Sequence, residues 1–234
     1  HESGQDHLGI YLRNGNEYLE SMIGSYRARV APFNVSYRYV EEELLYLLTD
    51  SNATALIYNA EFAPRVAAIR DRLPNLQVLV QVADESGNAL LPGAVDYEAI
   101  LSTPEPEAGM PTPSGDDLYI LYTGGTTGMP KGVVWRQEDA FFACIGGGDP
   151  TRYEGVVERP EQLLERVKDT DNPFTFLPVA PLMHAAAQWT SMSWLYVGGR
   201  VVLMPGSLDP DAIWTAVGDE KVNLLVVVGD AVAR

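Results

Sequence analysis

Short apolar runs alternate with amphipathic segments along most of the chain. Runs rich in β-branched and aromatic residues predict strands over residues 8–12, 28–33, 53–58, 76–82, 118–122, 132–135, 174–179, 200–204 and 223–228. Apolar positions at helical spacing predict helices over residues 17–25, 40–48, 63–73, 137–144 and 210–217. This alternation is typical of parallel sheets covered by helices, so we expect an α/β fold with mostly parallel sheets flanked by helices.

The alternation of strands and helices weakens between residues 83 and 115. Within it, residues 102–115 are rich in proline, glycine and acidic side chains, a composition that does not support a packed core. We therefore expect a connector at residues 102–115, between a first α/β subdomain (residues 1–101) and a second one (residues 116–234). Each subdomain is expected to be incomplete at its outer end, because the chain starts and stops close to predicted strands.

Composition limits the functions open to the chain. The 234 residues carry a formal net charge of −16, which argues against nucleic-acid binding because that requires a basic face. No apolar run reaches the roughly 18 residues of a membrane-spanning helix, and no secretory leader is visible. Cys144 is the only cysteine, so no internal disulfide can form, and we interpret it as a small buried apolar residue. We expect a cytoplasmic protein.

The most distinctive segment is residues 122–132, Tyr-Thr-Gly-Gly-Thr-Thr-Gly-Met-Pro-Lys-Gly, which lies between two predicted strands. Its glycines let backbone N–H groups approach an anion, its threonines supply hydroxyl donors, and Lys131 supplies a positive charge. Lys131 is one of only three lysines in a strongly acidic chain. These are the requirements of a polyphosphate site, so we interpret the segment as a phosphate-binding loop. An ordinary glycine-rich hairpin turn is the alternative.

Two common phosphate-binding motifs do not fit this loop. In the Walker motif a lysine directly follows the last glycine, whereas two residues separate Gly128 from Lys131 here. The dinucleotide fingerprint opens a helix, whereas residues 133–135, Val-Val-Trp, predict a strand. The binding field must therefore come from the loop amides and Lys131 rather than from a helix N-terminus.

The loop resembles the Tyr-Thr-Ser-Gly-Thr-Thr-Gly-x-Pro-Lys-Gly signature of the adenylate-forming enzymes, a superfamily of acyl-CoA synthetases, peptide-synthetase adenylation domains and luciferases. It departs from that signature at Gly124, where the family usually has serine. Residues 32–48 resemble an upstream segment of acyl-CoA synthetases. Residues 178–184, Pro-Val-Ala-Pro-Leu-Met-His, resemble their Pro-Leu-Phe-His motif, with Met183 replacing the aromatic residue. The order and spacing of the three segments agree with that family.

The resemblance implies a role for each site residue. The implied ATP-binding residues are Thr123, Gly124, Gly125, Thr126, Thr127, Gly128 and Lys131. The implied catalytic residues are Lys131, Thr126 and His184, and Thr123 is also an implied ligand of Mg²⁺. The implied reaction consumes ATP and a carboxylic acid, of fatty or steroid type, forms an acyl-adenylate, and transfers the acyl group to coenzyme A.

His184 is the other residue to which the resemblance assigns chemistry. Pro181 is typical of a first helical turn and Gly198 of a helix end, so residues 182–197 predict a mostly apolar, buried helix. The positive end of the helix dipole favours a neutral imidazole, which can donate a hydrogen bond to a carboxylate or phosphate oxygen. A histidine satisfied within the core is the alternative. Ala187 is expected to narrow an acyl pocket. Lining of that pocket and ordinary core packing are alternative roles for Trp189 and Trp194.

Three functions remain open from the sequence. The favoured one is an internal piece of an acyl-CoA synthetase that forms no thioester alone, because the family's downstream magnesium-binding glutamate, ribose-binding aspartate and C-terminal lysine are not found in it. The second is an amino-acid-activating adenylation domain. The third is a non-catalytic nucleotide-binding module.

Overall fold

The computed structural model describes residues 4–104, 109–125, 128–151, 153–159, 161–168, 174–205 and 209–227. Its contacts divide the chain into two compact units. The first comprises His1–Leu12 and Glu20–Gln137, and the second comprises Arg13–Leu19 and Glu138–Arg234. This division falls after residue 137, whereas residues 102–115, the expected connector, lie within the first unit.

The first unit is built on one seven-stranded sheet. Its strands are β1 (His7–Tyr11), β2 (Ala31–Asn34), β3 (Ala55–Asn59), β4 (Val78–Val82), β5 (Val95–Asp96), β6 (Leu118–Gly125) and β7 (Gly128–Arg136). They lie in the order β5-β4-β3-β1-β2-β6-β7. All neighbours are parallel except β7, which pairs antiparallel with β6 at one edge. The expected α/β class with mostly parallel strands is confirmed.

Helices α1 (Asn16–Arg27), α2 (Glu41–Asp50), α3 (Ala63–Ile69) and α4 (Tyr97–Leu101) accompany these strands. Helix α2 buries Leu44, Leu47 and Leu48 in a core that also contains residues of β1, β2, β3 and β6. The Val40 N–H, just before the helix, donates to Oε2 of Glu43 at 3.1 Å, which satisfies one of the free donors at that end. Helix α3 ends four residues before the predicted end and continues as the 3₁₀ turn Arg70–Arg72.

Strand β5 and helix α4 occur where the sequence pattern predicts no regular structure. Both are short, and Val95 and Leu101 are exposed, so their apolar positions do not form a periodic buried face. The sequence does carry one helix signal, since Asp96 caps α4 by accepting a hydrogen bond from the Ala99 N–H at 3.1 Å.

The entry to β6 is held by an ion pair. Arg29, in the left-handed backbone region (φ 57°), donates from Nε and Nη2 to the carboxylate of Asp117, which is 2% exposed. Gln5 donates to the Arg29 carbonyl and accepts from the Leu118 N–H at 2.8 Å. The hydrogen bonds to Arg29 keep the pKa of Asp117 below its usual value. These contacts hold the first residue of β6 close to the residues that precede β2.

The second unit contains a smaller, three-stranded parallel sheet. Its strands are β8 (Thr175–Pro178), β9 (Arg200–Val201) and β10 (Leu224–Val226), with β8 in the centre. The remaining helices are α5 (Gln137–Ala143), α6 (Glu161–Lys168), α7 (Ala185–Tyr196) and α8 (Pro210–Asp219). The sequence pattern does not predict α6, because none of its described side chains is buried.

A glycine-rich loop follows α5 and is held by one buried carboxylate. Asp149, 4% exposed, accepts from the Gly155 N–H at 2.7 Å and from the Glu154 N–H at 2.9 Å. Arg166 donates to the carbonyl oxygens of Gly148 and Gly155. A Cβ at Gly148, whose φ is +79°, would lie 2.5 Å from Cδ2 of Leu163. The glycines here serve backbone conformation and close packing.

Candidate functional site

The predicted phosphate-binding loop is the tip of the β6–β7 hairpin. Thr123 lies directly opposite Lys131 in the antiparallel register, and Gly125 lies opposite Gly128. The register shifts between Thr123 and Gly125, which places an irregularity at Gly124. Thr126 and Thr127 lie outside the described residues. Residues opposite each other in an antiparallel pair lie on one face of the sheet, so Thr123 and Lys131 share a face.

Both strands of the hairpin have exposed residues near its tip, although Pro130 and Tyr122 are buried. Thr123, Gly124, Gly128 and Lys131 are all exposed. A Cβ built on Gly124 or on Gly128 would meet no atom within 4 Å. The backbone there can therefore be approached by a ligand, which is what a phosphate cradle requires and what a hairpin tip buried in the core would prevent.

Below the tip, the hairpin is tied to the rest of the first unit through Tyr122 and Pro130. The Asn34 side chain makes two hydrogen bonds to the backbone of Tyr122, and the Tyr122 hydroxyl donates to Asp50 at 2.7 Å. The Tyr46 hydroxyl donates to the Pro130 carbonyl at 3.3 Å. Sequence reasoning assigned no role to Asn34, Tyr46 or Asp50. The available signal was a polar residue, Asn34, at the end of an otherwise apolar buried strand.

His184 belongs to the second unit, and its surroundings correct the predicted start of the helix. Helix α7 begins at Ala185, so His184 is the N-cap residue and not part of the first turn. Its side chain is exposed, which does not support the alternative of a histidine satisfied within the core. The cause of the later helix start is a turn before the helix, in which the His184 N–H donates to the Pro181 carbonyl at 3.0 Å. Asn14 fixes this turn by accepting from the Leu182 N–H at 2.7 Å.

The second unit also contains a cavity of about 600 Å³. Apolar side chains, glycines and several polar groups line it: Phe142, Ala143, Cys144, Gly146, Asp149, Pro150, Gly155, Val156, Thr190, Ser193, Trp194, Leu224 and Val226. Trp194 thus contributes to a cavity wall, while Ala187 is fully buried within α7. Cys144 is half-buried, and burial raises the pKa of its thiol, which favours the protonated form.

The first unit combines a mostly parallel α/β sheet with an exposed glycine-rich hairpin at its edge, and comparison with known proteins identifies the family. Residues 3–234 match the family model described as AMP-binding enzyme. The chain therefore belongs to the AMP-binding enzyme family.

Three relatives illustrate the similarity. The chain is 50% identical, over 100% of its length, to the medium-chain acyl-CoA ligase Mig of Mycobacterium avium, of which it covers 42%. It is 38% identical, over 98% of its length, to the 3-oxocholest-4-en-26-oate–CoA ligase of Rhodococcus rhodochrous, of which it covers 41%. The structure of a long-chain-fatty-acid–CoA ligase from Archaeoglobus fulgidus superimposes with a TM-score of 0.72 at 20% identity, covering 97% of this chain and 40% of that one. The chain spans about two fifths of the length of these relatives.

The described part of the chain is free of two features. None of the helices found there combines the length and the apolar character needed to cross a bilayer. In the same part of the chain, histidine, cysteine, aspartate and glutamate side chains form no group of three or more that could hold a metal ion.

Proposed function

We propose that the protein containing this chain uses ATP to activate a carboxylic acid, first to an acyl-adenylate and then to an acyl-coenzyme A. One observation carries the proposal. In a chain of the AMP-binding enzyme family, an exposed edge hairpin presents Thr123 and Lys131 on one face beside an open glycine backbone. The chain supplies part of the enzyme, since it spans about two fifths of its relatives' length.

The proposed reaction has two steps. In the first, a carboxylate oxygen bonds to the α-phosphorus of ATP while the bond to the bridging oxygen breaks, and pyrophosphate leaves with the electron pair. In the second, the thiol sulfur of coenzyme A bonds to the acyl carbon, loses its proton, and displaces AMP. The first step brings an anion towards a centre surrounded by negative oxygens, so the enzyme must neutralise the phosphates and stabilise the leaving pyrophosphate.

The hairpin supplies groups suited to that task. We assign the Lys131 ammonium and the amides of Gly124, Gly125 and Gly128 to the β- and γ-phosphates. Thr126 and Thr127, which lie outside the described residues, are assigned to the same phosphates by resemblance. The backbones of Thr123 and Lys131 are positioned before the ligand arrives, because the strand register fixes these two residues opposite each other.

Mg²⁺ fits this site only as an ion held chiefly by the nucleotide. Thr123 offers an exposed hydroxyl oxygen, a suitable hard ligand, but the described residues provide no carboxylate cluster beside it. Mg²⁺ commonly binds through substrate phosphates with one or two protein ligands, and when bound it would neutralise phosphate charge. We assign Thr123 as one such ligand.

We assign His184 to the acyl-adenylate, as a hydrogen-bond donor to a carboxylate or phosphate oxygen. Its exposure and its place at the N-terminus of α7 support this, since the nearby helix amides favour anionic groups. The turn before α7 is held by the Asn14 contact with Leu182 and by the hydrogen bond from the His184 N–H to the Pro181 carbonyl, so the His184 backbone has a defined place at the start of the helix.

The cavity of the second unit supports a lipophilic acid as the substrate. At about 600 Å³ it falls in the range of small-molecule pockets, and Phe142, Val156, Trp194 and Leu224 give it apolar walls. An amino-acid substrate would require a charged partner for its ammonium group, and the carboxylate in the lining, Asp149, already accepts hydrogen bonds from the Glu154 and Gly155 N–H groups. The relatives named for medium-chain and steroid-type acids point in the same direction. We propose that the cavity receives the acyl chain.

Pyrophosphate exchange into ATP tests the proposal against its alternatives. The assay requires the protein extended to its relatives' full length, with fatty, steroid-type and amino acids as separate substrates. Exchange that depends on lipophilic acids supports the proposal. Exchange that depends on amino acids supports an amino-acid-activating domain, and nucleotide binding without exchange supports a non-catalytic module.

A further inference from the structure

The backbone pairing between β2 and β6 ends one residue before the end of β2. The two strands pair at Phe33 and Ile120, and the next position of β2 is Asn34. At this position the Asn34 side chain, and not a backbone group of β2, forms the hydrogen bonds to β6. Nδ2 of Asn34 donates to the Tyr122 carbonyl at 2.9 Å, and the Tyr122 N–H donates to Oδ1 of Asn34 at 2.7 Å.

Only an amide side chain of the right length can make this pair of bonds. The N–H and C=O of one strand residue point to the same edge, so the partner must offer one acceptor and one donor side by side. Asn34 and Tyr122 are 7% and 8% exposed, so water cannot readily replace a lost bond. A carboxylate at position 34 could still accept the hydrogen bond from the Tyr122 N–H. Its second oxygen could not donate to the Tyr122 carbonyl and would be repelled by it. An aliphatic side chain would leave both backbone groups unsatisfied.

Tyr122 is the residue immediately before Thr123, and its ring is fixed as well as its backbone. The ring lies edge-on to Phe33, with centroids 5.8 Å apart, and its hydroxyl donates to Asp50 at 2.7 Å. On the opposite strand Gly132 leaves space for it, because a Cβ there would lie 2.9 Å from Cζ of Tyr122. The Tyr122 backbone can therefore take one position relative to the sheet.

The second limb of the hairpin is held from the same side. Tyr46 donates to the carbonyl of Pro130, the residue immediately before Lys131. Tyr46 and Asp50 both belong to α2, one turn apart. Both contacts therefore come from a single helix, which ties the residues preceding Thr123 and Lys131 to one rigid element.

We propose that Asn34 is a positioning residue for nucleotide binding: its amide fixes Tyr122 and so sets the direction in which Thr123 and the following glycine amides meet the phosphates. The inference rests on the proposed function for the phosphates as ligand. Asn34 touches no reacting atom and acts through the backbone of Tyr122. A displacement of about 1 Å at such a site lowers rates by about a hundredfold.

The test compares Asn34→Leu and Asn34→Asp with Gln81→Leu in the full-length protein. Gln81 is a matched control because it too is buried and uses its amide to bond backbone groups, donating to the Ala89 carbonyl and accepting from the Leu91 N–H. It lies on β4, away from the hairpin strands. Thermal unfolding, the KM values for ATP and for the acid, and hydrogen exchange of residues 118–136 are measured for each variant.

We expect both Asn34 variants to raise the KM for ATP about tenfold or more, with the KM for the acid within about twofold of wild type. Gln81→Leu should lower the unfolding temperature to a similar extent and leave the KM for ATP unchanged. Asn34→Asp keeps one of the two bonds, so it supplies a folded variant should Asn34→Leu prove unstable. Equal effects of the Asn34 and Gln81 variants on the KM for ATP would overturn the proposal.

Hydrogen exchange separates failure of this inference from failure of the proposed function. If the wild-type protein showed no exchange of pyrophosphate into ATP, the proposed function would be refuted. Faster amide exchange at residues 118–136 in the Asn34 variants, but not in Gln81→Leu, would still support a positioning role. Unchanged amide exchange there would refute it, whatever the enzyme catalyses.

Discussion

The hydroxyl of Tyr122 donates a hydrogen bond of 2.7 Å to Oδ2 of Asp50, the last residue of α2. Burial first, and then this hydrogen bond, raise the pKa of Tyr122 above its ordinary value of 10.0. The carboxylate is an acceptor for the protonated hydroxyl and repels the phenolate, so the contact exists only while the tyrosine keeps its proton. The contact that holds the β6–β7 hairpin to α2 is therefore linked to pH.

Alkaline titration of stability tests this link. The folded state holds the Tyr122 proton more tightly than the unfolded state does. The protonated tyrosine therefore contributes its full share of the unfolding free energy below about pH 10, the ordinary pKa of tyrosine. Above that pH the contribution is lost, by up to about 1.4 kcal/mol per pH unit. Tyr122→Phe should make the alkaline fall in unfolding free energy shallower and should cost about 0.5–1.5 kcal/mol at neutral pH. The control is Tyr153→Phe, at a side chain 92% exposed. An alkaline slope identical in wild type and Tyr122→Phe would contradict the expectation.

Lys131 is expected to contribute charge and not structure. Lys131→Ala should weaken ATP binding by about 1.5–3 kcal/mol, the scale of a hydrogen bond to a charged group, and should leave the unfolding temperature unchanged. Lys168→Ala, which removes the same charge from an exposed position on α6, is the matched control. Titration calorimetry with ATP at two salt concentrations measures both variants. Equal affinities of Lys131→Ala and wild type would remove the basis for the phosphate assignment.

Position 124 is expected to tolerate serine, the residue that is usual there in the adenylate-forming signature. A Cβ at this position meets no atom within 4 Å, so the side chain fits without displacing a neighbour. Gly124→Ser adds a hydroxyl donor beside the loop amides and should lower the KM for ATP about three- to tenfold. Gly124→Ala fills the same space without the hydroxyl and should not. If Gly124→Ala and Gly124→Ser lowered the KM for ATP equally, the cause would be a stiffer loop and not the added hydroxyl donor.

The sequence predicts the framework of the first unit well, because long buried runs dominate it. Residues 53–58 and 76–82 are almost continuously apolar, and the structure places β3 and β4 there as parallel neighbours. The hairpin could also be predicted, since glycines and a proline separate two β-rich segments. Its antiparallel pairing from Leu118 with Arg136 to Gly125 with Gly128 agrees with that prediction.

The support of the hairpin could not be predicted in the same way. Asn34 and Tyr122 are 88 positions apart, and nothing local in either segment indicates that they bond. The start of α7 was placed too early because Pro181 is also compatible with the turn that the structure shows there. That turn depends on Asn14, which is distant in sequence. Local patterns determine elements, whereas long-range side-chain contacts determine where the elements end.

Ala143 offers a test of the proposed acyl cavity. It is a small residue in the cavity wall, so Ala143→Phe places a ring where an acyl chain is proposed to lie. We expect kcat/KM for the longest acids that the full-length enzyme accepts to fall about tenfold or more, with short acids within about twofold, because a hydrophobic pocket discriminates by 10–200-fold per steric mismatch. Ala68→Phe, at an exposed position on α3, controls for added surface. A uniform loss across all chain lengths would place the acyl chain elsewhere.

The glycine loop of the second unit gives a test that is independent of any ligand. Gly148 and Gly155 both have a φ of +79°, but a Cβ at Gly148 would lie 2.5 Å from Leu163 whereas one at Gly155 would meet nothing within 4 Å. Both alanine variants therefore carry the backbone strain of the left-handed region, about 1 kcal/mol, and only Gly148→Ala adds overpacking, about 1–3 kcal/mol more. Urea unfolding should rank wild type above Gly155→Ala and Gly155→Ala above Gly148→Ala. If the two variants were equally stable, the loop would have room to move away from Leu163, and backbone conformation alone would account for the glycine at position 148.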